Sequence, residues 1–463
     1  MNPERATAAS AAIDGRTDSR PNSTTDGGIC VVGAGLAANL LVRLLLEAEP
    51  EARISLFGAE PVPAYNRVLL PDVLAGRSAR ELVHLPHPAG PRLAVHTGVR
   101  VARIDREHRT LITSAGDAVG YSTLVLATGA NPVLPPLPGL RDPGRPGRLR
   151  AGVHTLRSLA DLDRLQAEAP AARRAVVVGG GLLGVQCSRA LAALGPGVEL
   201  IHQGPHLLDH RIDPAAGAIL ARTLRGHGIE VHTECRARAV TAAGDDLGPG
   251  PAGGVRLADG MYLDCDLVLV ACGAAPAAGL AEAAGLAVRG GVVVDEYLRS
   301  VTDPAIHAIG DCCAPAGSAP APHLGAWPGL AAPALAQAAY LAEYIADHLA
   351  DHLAENPAGR APRYQSPANV VRLGAAGIDV AVLSAAGNPA GAPAQRTVRL
   401  ADPIAGTYRS VTVGGGRVLG SVLIGDVSAA ANLSRLIDRP GPLPADPLDL
   451  LTTGPHPAEG AAA

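Results

Sequence analysis

Two stretches of the chain repeat one pattern of apolar and polar positions. Ile29 to Val32 form a short apolar run, a glycine cluster follows at Gly33 and Gly35, and apolar residues then recur at helical spacing. Ala175 to Val178 repeat the run, and Gly179, Gly180, Gly181 and Gly184 repeat the cluster before a second apolar stretch. Short apolar runs read as buried strands, and recurrence every three to four residues reads as an amphipathic helix. Each copy therefore opens as the strand–turn–helix of a βαβ unit. Each also closes alike, with Leu124 to Leu126 leading to Thr128, Gly129 and Pro132, and Leu267 to Val270 leading to Cys272, Gly273 and Pro276. Opening and closing glycines are separated by nearly the same length in both copies. An internal duplication of an α/β, Rossmann-like unit is the reading that follows.

Leu134 to Gly147 is a Pro- and Gly-rich connector between the copies. After the second copy, Gly291 to Asp295 and Ile306 to Asp311 read as strands, the latter ending in Gly310-Asp311. Leu341, Ile345, Leu349 and Leu353 stand four apart, the signature of one helix face. Glu355 to Pro362 reads as a linker. Residues 363–436 contain several short strand patterns, such as Thr407 to Val413 and Arg417 to Ile424, and predict a small C-terminal α+β domain. Residues 1–27 are polar and small and predict a disordered arm. They lack the apolar core of a secretory signal. Residues 437–463 are rich in Pro and Ala and predict a disordered tail.

The length of 463 residues fits about three domains. A net charge of -4 gives no reason to expect nucleic acid or an anionic membrane as partner. No apolar stretch is long enough for a transmembrane helix. The chain has no lysine, so all 39 basic residues are arginines, and no side chain can form a Schiff base. The seven cysteines are Cys30, Cys187, Cys235, Cys265, Cys272, Cys312 and Cys313, most of them inside apolar runs. This favours reduced thiols and a cytoplasmic location.

The loop Gly33, Ala34, Gly35, Leu36, Ala37, Ala38 has the form G-x-G-x-x-A. Gly33 would permit the tight turn, Gly35 would let the backbone approach a pyrophosphate, and Ala38 would let helix pack on strand. Free N–H groups at the helix start favour the phosphates. An acidic residue should follow the second strand to bind ribose hydroxyls, and Glu60 is the candidate. Gly179, Gly181 and Gly184 form a full G-x-G-x-x-G, but its second strand, Val198 to Ile201, ends in His202 and Gln203 rather than an acid. The choice between NADH and NADPH stays open on this reading. His202, His206 and His210 are spaced by four, yet Gly204-Pro205 breaks any helix between them. His348 and His352 read as a solvated helix flank, so no metal site is expected. Adjacent Cys312 and Cys313 are poorly placed to bridge and read as packing thiols.

The order G-x-G-x-x-A, A-T-G, G-x-G-x-x-G and late G-D resembles the two-dinucleotide-domain flavoprotein reductases. The resemblance implies two three-layer (ββα) Rossmann-like domains, the second inserted in the first, plus the small C-terminal domain. Residues 28–150 and 290–355 would bind FAD, and residues 151–289 would bind NADH or NADPH. Gly310 and Asp311 would contact the flavin ribityl chain, with Thr128 and Gly129 at the crevice and Gly273 as their counterpart in the second copy.

The segment Phe57 to Gly76, with Gly179 to Gly184, Asp213 to Gly217, Gly377 to Asp379 and Asp402 to Tyr408, is similar to the flavoprotein portion of the NAD(P)H nitrite reductase large subunit. It is also similar to the electron-transfer flavoprotein of assimilatory nitrate reductase. By this resemblance Tyr65, Asn66 and above all Arg67 would lie beside FAD. Four positions depart from the pattern. Gln186 stands where a glutamate is common, Ala277 replaces a frequent asparagine, and Ala334-Leu335 replaces an aromatic–acidic pair. No cysteine follows Cys313, so the iron–sulfur and siroheme segments of the large subunit have no counterpart there.

Cys30, the one cysteine before residue 150, lies in the first strand, which speaks against disulfide reductase chemistry. The expected function is hydride transfer from nicotinamide to flavin and delivery of electrons to a redox protein. The cofactor carries that chemistry, so no side chain is assigned as catalytic acid, base or nucleophile. The leading acceptor is a nitrate or nitrite reductase component. The alternatives are a ferredoxin or rubredoxin serving a monooxygenase, or a flavin- or nucleotide-binding regulatory protein without turnover. A homodimer is left open.

Overall fold

The computed structural model describes residues 27–145, 147–244, 247–316, 330–351, 362–375, 377–385, 395–439 and 441–452. The expected disordered arm, the end of the expected tail, the linker up to residue 361, His352 and Leu353 lie outside the described residues.

The chain starts with β1 (Gly28–Val32), crosses through α1 (Leu36–Ala48) and returns as β2 (Ile54–Gly58). The short helix α2 (Leu70–Leu74) precedes β3 (Leu93–Thr97). Then β4 (Val101–Asp105), β5 (Thr110–Thr113) and β6 (Ala118–Leu126) form an antiparallel meander. The long β6 serves two layers. Its first half pairs with β5, and its second half pairs in parallel with β1, giving the order β3-β2-β1-β6-β5-β4. Ile29, Cys30, Val31 and Val32 are all buried, as a parallel strand covered on both faces requires.

A three-residue strand, β7 (Ala130–Pro132), leads into the second unit. There β8 (Val153–His154), α3 (Leu159–Glu168), β9 (Arg174–Val178), α4 (Leu182–Leu194), β10 (Gly197–Ile201), α5 (Pro214–Gly226) and β11 (Ile229–His232) follow. Local sequence sets two of these helix starts. Ser158 and Asp161 make a reciprocal capping box on α3, and Asp213 caps α5 ahead of Pro214. A second meander, β12 (Ala237–Thr241), β13 (Gly254–Leu257) and β14 (Tyr262–Asp264), precedes β15 (Leu267–Val270). The parallel order is β11-β10-β9-β15-β8. The exit strand β16 (Ala274–Pro276) pairs antiparallel with the entry strand β7.

The first unit resumes before residue 290, the start expected from the sequence: α6 (Gly279–Ala283) already packs Ala281 in its core, and β17 (Val292–Val294), β18 (Ile306–Ala308) and β19 (Cys313–Pro315) then precede the long helix α7 (Ala331–Asp351). β18 joins the first sheet beside β6, and Leu341 and Ile345 bury one face of α7 in the same core as α1. His348 is more than a solvated flank. Its ring stands 4.0 Å from that of Tyr344, and its Nδ1 lies 2.7 Å from the Tyr344 carbonyl.

The small domain is a five-stranded antiparallel sheet of β20 (Asn369–Ala375), β21 (Ile378–Ser384), β22 (Arg396–Asp402), β23 (Thr407–Gly414) and β24 (Arg417–Ile424), with α8 (Ala430–Asp438) on one face. The other face packs Leu373, Ile378, Val380 and Tyr408 into the core of the second unit. The tail needs a correction. Residues 441–452 are ordered against this domain, and α9 (Asp449–Thr452) packs on β23 and buries Leu450 and Leu451 in the domain's core. Arg409 Nη1 donates to the Leu451 carbonyl at 2.7 Å. Leu443 also packs on this core and Pro447 is buried, so the segment that its proline content suggested would stay loose is docked by several apolar contacts and a backbone anchor.

Candidate functional site

Gly33 has φ +110, and a Cβ on it would stand 2.1 Å from the Ala127 carbonyl oxygen. Only glycine allows β1 to turn this tightly beside the end of β6. Gly35 caps α1 with no side-chain hydrogen bond, and a Cβ there would meet nothing within 4 Å. Open space in front of uncapped helix N–H groups is what a pyrophosphate requires. Ala38 is fully buried against the strand.

The structure brings Glu60, Arg67 and Asp311 into one hydrogen-bonded row. Tyr65 Oη donates to Glu60 at 2.7 Å, and Arg67 Nη2 donates to the other Glu60 oxygen at 3.2 Å. Arg67 Nη1 donates to the Arg157 carbonyl at 3.0 Å. Arg157 in turn reaches Asp311 Oδ2 at 2.7 Å and the Ala130 carbonyl at 3.1 Å. Burial is the main cause that pushes the Tyr65 hydroxyl above its ordinary range, so it stays a donor. Gly310 adopts φ +72, and its N–H is received by the buried Gln337 Oε1 at 2.7 Å.

Arg157 and Gln337 escaped the sequence reading. Arg157 lies ahead of α3, in the stretch assigned to the second unit, yet its side chain serves the first. Gln337 sits inside an apolar helix. An isolated polar residue on a buried helix face was the available signal for it. Arg157→Met is expected to weaken FAD binding about tenfold and to cost about 1–3 kcal/mol, because Asp311 would keep its half-buried charge without its partner. FAD titration of the apoprotein and a thermal melt check both.

Thr128 and Gly129 tie the two units together. Thr128 Oγ1 donates to the Ala277 carbonyl at 2.7 Å, and the Ala277 N–H donates to the Gly129 carbonyl at 2.8 Å. The Ala277 departure therefore leaves this link intact, since only backbone atoms of that residue take part. Gly273 has φ +96 and accepts from Val133 N at 2.9 Å beside the β7–β16 pair. Ala334 is buried close to Gly310.

The second glycine loop repeats the first. Gly179 has φ +117, and a Cβ on it would stand 2.4 Å from the Ala271 carbonyl oxygen. Gly181 caps α4 with open space before it. Gly184 packs so closely that a Cβ would stand 1.7 Å from the Gly179 carbonyl oxygen. Gln186 is half-buried on α4. His202 lies at the end of β10 and receives the Gly180 N–H on Nδ1 at 3.2 Å. Residues 203–211 form turns and not a helix, so the four-residue spacing of the histidines carries no ligand geometry.

All seven cysteines are free. Burial raises the Cys30 and Cys265 thiols to about 12 and Cys272 to about 11, and it raises Cys312 and Cys313 as well. None is poised as a thiolate at neutral pH. No helix among the described residues is long and apolar enough to cross a membrane.

Residues 27–340 match the family described as pyridine nucleotide-disulphide oxidoreductase. The chain belongs to that family. Residues 370–440 match the rubredoxin NAD+ reductase C-terminal domain. Nitrite reductase [NAD(P)H] of Bacillus subtilis is 30% identical over 415 residues, 89% of this chain and 47% of that protein. The chain thus spans about half the length of that relative. The ferredoxin–NAD(+) reductase component of the biphenyl dioxygenase system of Paraburkholderia xenovorans is 34% identical over 62% of this chain and 67% of its own length. The solved covalent complex of putidaredoxin reductase with putidaredoxin shares the fold, with a TM-score of 0.75 and 24% identity over 92% of this chain and 96% of that one. The chain is an FAD-dependent NAD(P)H oxidoreductase, with two Rossmann-like domains and no cysteine pair joined as a disulfide.

Proposed function

We propose that this chain carries electrons from NAD(P)H through FAD to a redox protein of nitrate or nitrite assimilation. The similarity to nitrite reductase [NAD(P)H] supports this most. It runs over 89% of the chain, whereas the similarity to the dioxygenase-linked reductase runs over 62%. A bound FAD would supply the chemistry that links two-electron transfer from the nicotinamide to one-electron transfer to the acceptor. The protein's part is to hold both nucleotides. Gly33, Gly35 and Ala38 form the pyrophosphate turn, with Glu60, Arg67, Thr128, Gly129, Gly310 and Asp311 along the flavin. Gly179, Gly181 and Gly184 take the second pyrophosphate, with Gln186, His202 and Gly273 around the nicotinamide nucleotide.

A second reading is a reductase for a ferredoxin or rubredoxin serving an oxygenase. The 34% identity to the biphenyl dioxygenase component and the match to the rubredoxin reductase C-terminal domain favour it.

The deciding experiment is an anaerobic titration of the purified yellow protein with NADH and with NADPH. Bleaching of the flavin by about one equivalent of either is the expected result. The reduced protein is then mixed with a ferredoxin and, separately, with a nitrite reductase catalytic component. Reoxidation by the latter alone supports assimilation, and reoxidation by the former alone supports the second reading. A yellow protein that neither coenzyme bleaches would overturn both.

A further inference from the structure

The end of β10 lacks an acidic residue in sequence, yet the fold delivers one there. After His202 the chain turns through Gly204 and folds back onto the glycine loop, where Leu208 N donates to the Gly180 carbonyl at 3.0 Å. Leu208 holds φ +54, a costly conformation for a side-chain-bearing residue, and Leu207 and Leu208 are both buried. This turn places Asp209 Oδ1 at 3.3 Å from His202 Nε2. His202 accepts the Gly180 N–H on Nδ1, so Nε2 carries the hydrogen; it lies beside the carboxylate without making an aligned hydrogen bond to it. Burial pushes the imidazole below its usual value, which keeps it neutral at pH 7. The net charge at this strand end is therefore that of Asp209. Both side chains are largely buried, at 11% and 15% exposure.

The space for that carboxylate exists because residue 204 is glycine. A Cβ there would stand 2.1 Å from Asp209 Oδ2 and 2.7 Å from His202 Nε2. His210 Nε2 lies 3.7 Å from the same Asp209 oxygen on a more exposed side chain. Arg211 lines a cavity on the side of the small domain, with Ser384, Ser410 and Ser421.

We propose that Asp209 is the coenzyme-selecting residue. Supplied by a turn rather than by the strand end, it would accept the ribose hydroxyls of NADH and repel the 2′-phosphate of NADPH. The physical reason is that a largely buried carboxylate is a good acceptor for two hydroxyls and a poor neighbour for a phosphate dianion. This rests on the NAD(P)H reading of the second glycine loop.

The test measures binding of ADP-ribose and of 2′-phospho-ADP-ribose to the FAD-loaded protein by calorimetry, then the KM and kcat of flavin reduction. In the unaltered protein ADP-ribose should bind at least about tenfold more tightly. Asp209→Asn and, independently, Gly204→Ala, which displaces the carboxylate, should bring the two ligands within about threefold of each other. The NADH KM should rise in both variants with kcat little changed, and the flavin spectrum should be unaltered. Tighter binding of the 2′-phosphorylated ligand to the unaltered protein overturns the assignment. So does an unchanged preference in Asp209→Asn. Binding of neither fragment would instead bring down the underlying reading of the second loop, and this assignment with it.

Discussion

Gly33→Ala gives a protein without flavin. The methyl group would stand 2.1 Å from a backbone oxygen and would have to adopt φ +110. Conformations of that kind cost about 1–3 kcal/mol in a residue with a side chain. The overlap cannot be relieved by a rotamer, since the obstacle is the Ala127 carbonyl and Ala127 N is itself bonded to the Val32 carbonyl at 2.8 Å. The turn must open, and the N–H groups of α1 then no longer face the pyrophosphate. FAD affinity should fall at least about 100-fold, or roughly 2.7 kcal/mol. The check is the flavin absorbance of the purified protein and its recovery on adding FAD. A Gly33→Ala protein as yellow as the unaltered one would show that the turn does not set flavin binding.

Gly184→Ala separates the two nucleotide sites. Its added carbon would lie 1.7 Å from the Gly179 carbonyl oxygen, so α4 has to lift away from β9. Overpacking of this kind costs about 1–3 kcal/mol. The flavin crevice is built by other elements and should stay filled. The variant is expected to be yellow and reducible by dithionite, while the KM for NADH rises at least about 100-fold. Retained reduction by NADH at ordinary concentrations would remove the second glycine loop from the coenzyme site.

Both glycine loops were legible in the sequence because the demands on them are local. A tight turn, a bare backbone and a small helix contact each leave a mark within six residues. The duplication and the small sheet domain were legible for the same reason, through periods of two and of three to four residues. Arg157 was not, because its partners Asp311 and Ala130 lie far from it in the chain and meet it only when the inserted unit closes on the first. Asp209 was not, because a strained Leu208 and a bare Gly204 must first fold the loop back. The docking of α9 was missed for a different reason. Leu450 and Leu451 are too short a pattern to weigh against the surrounding prolines, and their anchor, Arg409 on β23, lies 42 residues back in the chain.

The pairing of β7 with β16 has a practical consequence. The chain enters and leaves the coenzyme unit through two adjacent strands held by three residue pairs, Ala130 with Pro276, Asn131 with Ala275 and Pro132 with Ala274. Entry and exit points this close make the unit an exchangeable cassette. A homologous unit spliced in between Pro132 and Ala274 would leave most of the flavin unit's wiring in place, provided that the graft supplies an arginine where Arg157 stands. If the inserted unit holds the coenzyme as proposed, a change of reductant could be made inside the cassette while the rest of the chain stays as it is.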